Sequence, residues 1–198
     1  HFTDRSSYKK RHELSYQQEV LEQYQADYLL PEGGTNELAL KGCKEILSEV
    51  IFQLGQEPDY IAVAAGTGGT AAGILSNLGS TELLVFSALK GNFMEAEILN
   101  LCNQHKDKLK VLETYHFGGY AKHKPALVDF INAFYLEHQI LLDPIYTGKM
   151  MYGLFDQIHQ DQYAPGSTIV AIHTGGLQGN LGFNYRFGDL IPNPVNPF

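Results

Sequence analysis

The sequence predicts an α/β fold, a three-layer arrangement in which a mostly parallel sheet is flanked by helices. Two observations carry this. Short apolar bursts alternate along the chain with stretches of three- and four-residue apolar spacing, the pattern of strands exchanging with helices. Two of the bursts, ending at Ala65 and Ile172, also run straight into glycine-rich segments, which in an open parallel sheet lie where ligands bind. No internal repeat, low-complexity tract or flexible linker interrupts the 198 residues.

The elements follow in order. His1–Thr3 reads as the end of a strand, Ser15–Tyr24 as a helix, and Tyr28–Leu30 as a short strand stopped by Pro31. A turn over Glu32–Asn36 offers Thr35 or Asn36 as the cap of one long helix. That helix carries Leu40, Cys43, Ile46, Leu47, Val50, Ile51 and Leu54 on one side and stops at Gly55. Ile61–Ala65 is a buried strand, followed by Gly66–Thr70 and a helix-prone run over Ala71–Leu78. Leu83–Phe86 is a strand, Phe93–His105 a helix, Lys110–Leu112 a strand and His116–Tyr120 a glycine-containing loop. Pro125 opens a helix to His138. A turn at Leu141–Pro144, a helix over Gly148–Gln160 and a strand over Thr168–Ile172 come next. His173-Thr174-Gly175-Gly176 follows that strand, and the Pro- and Asn-rich tail from Pro192 is irregular.

Composition narrows the function. A chain that is 44% hydrophobic and 18% charged is globular and large enough for a full core. Its net charge of −8 argues against a sequence-independent grip on nucleic acid or an anionic membrane. The two cysteines, Cys43 and Cys102, fit core positions in a reducing compartment, and no stretch has the length of a membrane span. The start at His1 rather than a methionine suggests a processed or partial chain.

Gly66-Thr67-Gly68-Gly69-Thr70 is the segment that carries chemistry. Glycines turn the chain so that successive N–H groups converge, and the following helix adds its positive end, an arrangement suited to phosphate. A nucleotide-hydrolysing P-loop is excluded, since no Lys-Ser or Lys-Thr follows the glycines. A dinucleotide site fits G-x-G-x-x-A but lacks the acidic residue about twenty positions on, where Ser87-Ala88-Leu89-Lys90 stands. A turn serving strand-to-helix packing alone also fits. The eight histidines are scattered without metal-ligand spacing, and no G-x-S-x-G elbow is present.

Four segments together resemble one family: LLPEGGTNELALKG from Leu29, DYIAVAAGTGGTAAGI from Asp59, LLDPIYTGKMMYGL from Leu141, and IHTGGLQG from Ile172. The chain resembles the 1-aminocyclopropane-1-carboxylate deaminase / D-cysteine desulfhydrase family over nearly its whole length. The resemblance implies a tryptophan-synthase-β-like fold, with residues 1–30 the end of a smaller domain and 31–198 the large domain. It also implies pyridoxal 5′-phosphate as cofactor, a small amino-acid substrate, a cytoplasmic homodimer, and no nucleic-acid or membrane partner. The reaction implied releases a 2-oxo acid and ammonia, with sulfide from D-cysteine.

On the same resemblance, Gly66, Thr67, Gly68, Gly69 and Thr70 cradle the cofactor phosphate. Tyr146 stands beside cofactor and substrate as a carboxylate-positioning or proton-relaying phenol. His173, Thr174 and Gly175 face the cofactor ring. A gap-free reading puts Phe183 where a second active-site tyrosine stands in the deaminases, and Asn184 toward the pyridine nitrogen. No segment of the form S-G-N-K-x-R-K occurs, so the lysine that holds the cofactor is missing, as is the family's serine region. The expectation is a chain that binds the phosphate and is inactive alone. Without the resemblance, a non-catalytic phosphate-binding module remains the alternative, and a nicotinamide-dinucleotide domain a weaker one.

Overall fold

The computed structural model describes residues 2–195. Four strands, β1 (Tyr60–Ala65), β2 (Glu82–Ser87), β3 (Leu109–Leu112) and β4 (Ile169–Ala171), form one sheet in the order β3-β2-β1-β4. Every pairing is parallel, with Tyr60 opposite Glu82 on one side of β1 and opposite Ile169 on the other. The α/β, parallel-sheet expectation therefore holds.

Alternation along the strands explains the layers. Ile61, Val63, Leu83 and Val85 point to one face, where they pack with Ala71, Ile74, Met94 and Ile98. Those four come from α5 (Gly69–Leu75) and α6 (Met94–Leu101), with α3 (Glu37–Cys43) and α4 (Glu45–Leu54) outside them. Ala62, Leu84 and Phe86 point the other way, onto Met150 and Leu154 of α8 (Thr147–His159). Beyond α8 lie α7 (Pro125–His138) and α9 (Gln178–Phe187), whose Leu127, Ile131 and Phe183 make a further apolar cluster. A strand buried on both faces needs a near-continuous apolar run, which is what Ile61–Ala65 and Leu83–Phe86 supply.

Several local expectations change. The long helix expected to end at Leu54 is two, α3 and α4, meeting at Lys44, which keeps right-handed angles (φ −58, ψ −29). Asn36 rather than Thr35 caps α3, its side-chain oxygen accepting from the Ala39 N–H at 2.8 Å. Tyr28–Leu30 joins no strand. Its extended signal comes from Pro31, which holds the preceding residue out of the helical region. Phe2 and Thr3 belong to no strand, and His1 lies outside the described residues, as does the tail from 196. Two short N-terminal helices, α1 (Arg5–Lys9) and α2 (Leu14–Tyr24), contain no buried residue. The segment after β4, to which the sequence assigns no element, contains α9; Gly179 and Gly182 within it mask the helical pattern.

Candidate active site

The strand order makes β1 the branch point of the sheet. The chain steps from β1 to β2 and β3 on one side, then returns to lay β4 on the other. In open parallel sheets such a switch point opens a crevice beyond the carboxyl ends of the strands. Gly66–Gly68, the continuation of β1, lies there.

Each glycine of that loop is required for a different reason. Gly68 has φ 80, a left-handed turn, and a Cβ on it would come within 2.9 Å of Ile98 Cγ1. A Cβ on Gly69 would meet Thr35 Oγ1 at 2.7 Å, and one on Gly66 would meet the Tyr146 ring at 3.0 Å. Among the described residues, nothing accepts from the backbone N–H of Thr67, Gly68, Gly69 or Thr70. A concave cavity of about 170 Å³ opens between this loop and the Gly33-Gly34-Thr35 segment, with Thr67 and Thr70 in its wall. Unpaired donors around a hollow suit an oxyanion.

Tyr146 stands at the edge of this cup. The main chain that carries it is held by Asp143, a buried carboxylate. Asp143 Oδ1 accepts from the N–H groups of Ile145 and Tyr146, both at 2.8 Å. Its Oδ2 accepts from the Thr147 N–H at 2.8 Å and the Thr147 hydroxyl at 2.6 Å. The Thr147 hydroxyl oxygen in turn accepts from the Asp143 N–H at 2.9 Å. This reciprocal cap starts α8 and fixes the direction of Tyr146. Burial, reinforced by Tyr120 and by the Asp143 charge, pushes the Tyr146 phenol above its ordinary range. At neutral pH it is a proton donor.

Tyr120 is a residue the sequence reasoning passed over, reading it only as the end of a loop. The structure sets its ring 6.3 Å from that of Tyr146, at 60°. The loop carrying it is tied down by Lys149, a fully buried ammonium one turn along α8. Lys149 Nζ donates to Gly119 O at 2.8 Å and to Ala88 O at 3.4 Å. Burial brings its pKa down to about 8, partly offset by the Asp143 charge. The two adjacent glycines, Gly118 and Gly119, both at positive φ, were the one local signal of a sharp turn presenting the next side chain.

The remaining predicted residues lie on the segment that follows β4. His173 Nε2 donates to Leu141 O at 2.7 Å while Nδ1 accepts from the Gly175 N–H at 3.1 Å, which fixes the tautomer and braces one loop on another. Thr174 is exposed, and Gly176 packs against the Asp143 side chain. Asn184, expected toward the cofactor, instead faces the tail. Its Nδ2 donates to Ile191 O at 2.7 Å and its Oδ1 accepts from the N–H groups of Leu190 and Ile191 at 3.2 Å each. Phe183 lies in the apolar cluster under α7, its ring 4.8 Å from that of His123. Both residues lie on α9, and the aromatic ring beside that of Tyr146 belongs to Tyr120. Among the described residues no group of three metal-ligating side chains occurs, and no helix is long and apolar enough to cross a membrane.

A family model described as pyridoxal-phosphate dependent enzyme matches residues 1–175. The chain belongs to that family. A Pyrococcus horikoshii protein named as a candidate 1-aminocyclopropane-1-carboxylate deaminase is 30% identical over 194 residues, covering 90% of this chain and 58% of its own length. The Arabidopsis thaliana bifunctional D-cysteine desulfhydrase/1-aminocyclopropane-1-carboxylate deaminase, mitochondrial, is 33% identical over 77% of this chain and 42% of its own. The crystal structure of an ACC deaminase homologue superposes with a TM-score of 0.78 at 26% identity, over 96% of this chain and 62% of that one. The chain thus spans about half the length of the curated relatives it matches. Membership of the pyridoxal-phosphate family makes the cofactor's phosphate monoester the anion to test against the cup. The open N–H donors of 67–70 around the cavity agree with it.

Proposed function

We propose that this chain is the cofactor-binding portion of an enzyme that breaks down a small amino acid to a 2-oxo acid and ammonia. The reaction is of the 1-aminocyclopropane-1-carboxylate deaminase or D-cysteine desulfhydrase type, with sulfide released from D-cysteine. What carries the reading is the Tyr146 ring lying against Gly66, the first residue of the phosphate cup, with Tyr120 beside it. Bound pyridoxal phosphate supplies an electron sink for the bond broken at the substrate's α-carbon. The chain's own residues do the rest. The N–H groups of 67–70 and the threonine hydroxyls hold the phosphate; the protonated Tyr146 donates to a substrate carboxylate or moves a proton, with Tyr120 as its neighbour. The braced loop of His173, Thr174 and Gly175 forms the far side of the site.

Among the described residues no lysine lines the cup, and Lys149, the buried one, is spent on two carbonyls. The 198 residues by themselves are therefore expected to bind the phosphate without turnover. The same observation favours the second reading, a non-catalytic phosphate-binding module. Residues 1–30 as the end of a smaller domain, supported by the lack of buried residues in α1 and α2, complete the proposal, with a cytoplasmic homodimer as its assembly.

The test is binding and turnover in parallel. The purified chain should take up pyridoxal 5′-phosphate in competition with inorganic phosphate, and pyridoxal should compete poorly. It should form no 2-oxo acid from D-cysteine or 1-aminocyclopropane-1-carboxylate. A longer form of the protein that adds a lysine at the cup should form it, and lose it with Tyr146→Phe. Failure of the longer form to turn over either substrate leaves the binding module.

A further inference from the structure

Thr35 and Thr67 lie far apart in sequence, yet their hydroxyl oxygens are 2.7 Å apart. The approach is reciprocal. A Cβ on Gly33, which has φ 67, would come within 2.7 Å of Thr67 Oγ1 and Cγ2, and a Cβ on Gly69 would come within 2.7 Å of Thr35 Oγ1. Each threonine thus takes the space that a side chain on the opposite loop would need. Two loops that had merely drifted together would not require a glycine on each side.

The pair has hydrogen-bonding capacity to spare. Two hydroxyls bring two protons and use one between them. The other has no acceptor among the described residues, and neither do the N–H groups of Thr67, Gly68, Gly69 and Thr70 around the same cavity. A wall with this many free donors suits a ligand rich in acceptors, and a phosphate monoester is such a ligand.

We propose that Thr35 is a binding residue for that phosphate, acting with Thr67 as a linked hydroxyl pair, so that the ligand fastens segment 32–36 to loop 66–70. The proposal rests on the cup being a phosphate site and adds to it a residue from a second part of the chain. The segment is already anchored on its far side. Arg11 Nε donates to Glu32 at 2.8 Å, and Asn36 Nδ2 donates to the Tyr28 hydroxyl at 3.0 Å. A phosphate in the cup therefore steadies the N-terminal helices as well as the loop.

The experiment uses the 198-residue chain, inorganic phosphate and pyridoxal 5′-phosphate as ligands, and trypsin as a probe of the Lys9–Arg11 region. Thr35→Val should weaken phosphate binding by about tenfold, the loss of one hydrogen bond to a charged group. Thr35→Ser should restore it, and Thr35→Ala takes the place of valine should that variant fail to fold. Combining Thr35→Val with Thr67→Val should cost little more than either alone, since each hydroxyl works through the other. Phosphate should slow tryptic cleavage in the unmodified chain and not in Thr35→Val. Unchanged affinity and retained protection in Thr35→Val would overturn the role of Thr35 and leave the cup intact. Fully additive losses would overturn the linked pair. No phosphate binding by the unmodified chain would overturn the cup, and the role of Thr35 with it.

Discussion

Tyr120 and Tyr146 meet edge to face, their ring centroids 6.3 Å apart, although one stands on the loop after β3 and the other on the loop after α7. The contact raises the cost of ionising Tyr146, after burial the next cause of its upward shift. Tyr120→Phe removes the ionisable neighbour that raises the Tyr146 pKa. The Tyr146 resonance, followed by NMR in ring-labelled protein, should then titrate at lower pH than in the unmodified chain. Tyr163, pushed up to about 12 chiefly by burial, should not move and serves as the internal control.

Asp143→Ala should destabilise the chain by about 3 kcal/mol. It strips four donors of a charged acceptor, and hydrogen bonds to charged groups contribute about 1.5–3 kcal/mol each. Asp143→Asn keeps one acceptor oxygen and should fall between. Urea unfolding reads the result as a lower midpoint with an unchanged slope.

Lys149 should give the chain a rising stability on the alkaline side. Its folded-state pKa of about 8 lies below the ordinary 10.5, so between these values the unfolded chain binds the extra proton. The cost of the buried ammonium is fully present below about pH 8 and disappears as pH rises toward 10.5. Lys149→Met should remove that slope, which is read as the difference between the two proteins' unfolding free energies across the window. The raised tyrosines act in the opposite sense above pH 10 and cancel in the difference.

Gly73→Ala should cost about 2 kcal/mol by overpacking. A Cβ there would press on the Cys43 side chain and come within 2.9 Å of Leu40 O, so α5 must move off α3. Thermal unfolding should show the loss. The same substitution at Gly182, inside α9 with nothing within 4 Å of a Cβ, should instead stabilise by up to about 1 kcal/mol through helix propensity.

What could be read from the sequence divides along a physical line. The strands Ile61–Ala65 and Leu83–Phe86 were legible because both faces are buried, and unbroken apolar runs admit few other structures. The turn after β1 was legible because its glycines answer local backbone demands that leave a pattern in adjacent residues. Tyr120, Thr35 and Lys149 were not, because their roles come from contacts 26 to 61 residues away, which no periodicity records. Asn184 was misplaced for the converse reason: four glycines between 175 and 182 hid a helix held by its apolar neighbours rather than by propensity.

The position of β4 bears on how the molecule assembles. Strands β1, β2 and β3 pair with near neighbours in sequence, whereas β4 reaches β1 across 109 residues, with the Thr168 N–H on Asp59 Oδ2 at 2.7 Å. Closing so long a loop is entropically expensive, so the first three strands can collapse into a nucleus before the fourth docks. Interactions formed that late slow unfolding and leave the folding rate nearly untouched. The Asp59–Thr168 contact is in that sense a bolt shot last: it governs how long the sheet stays closed, while the cup beyond β1 belongs to the part that forms first.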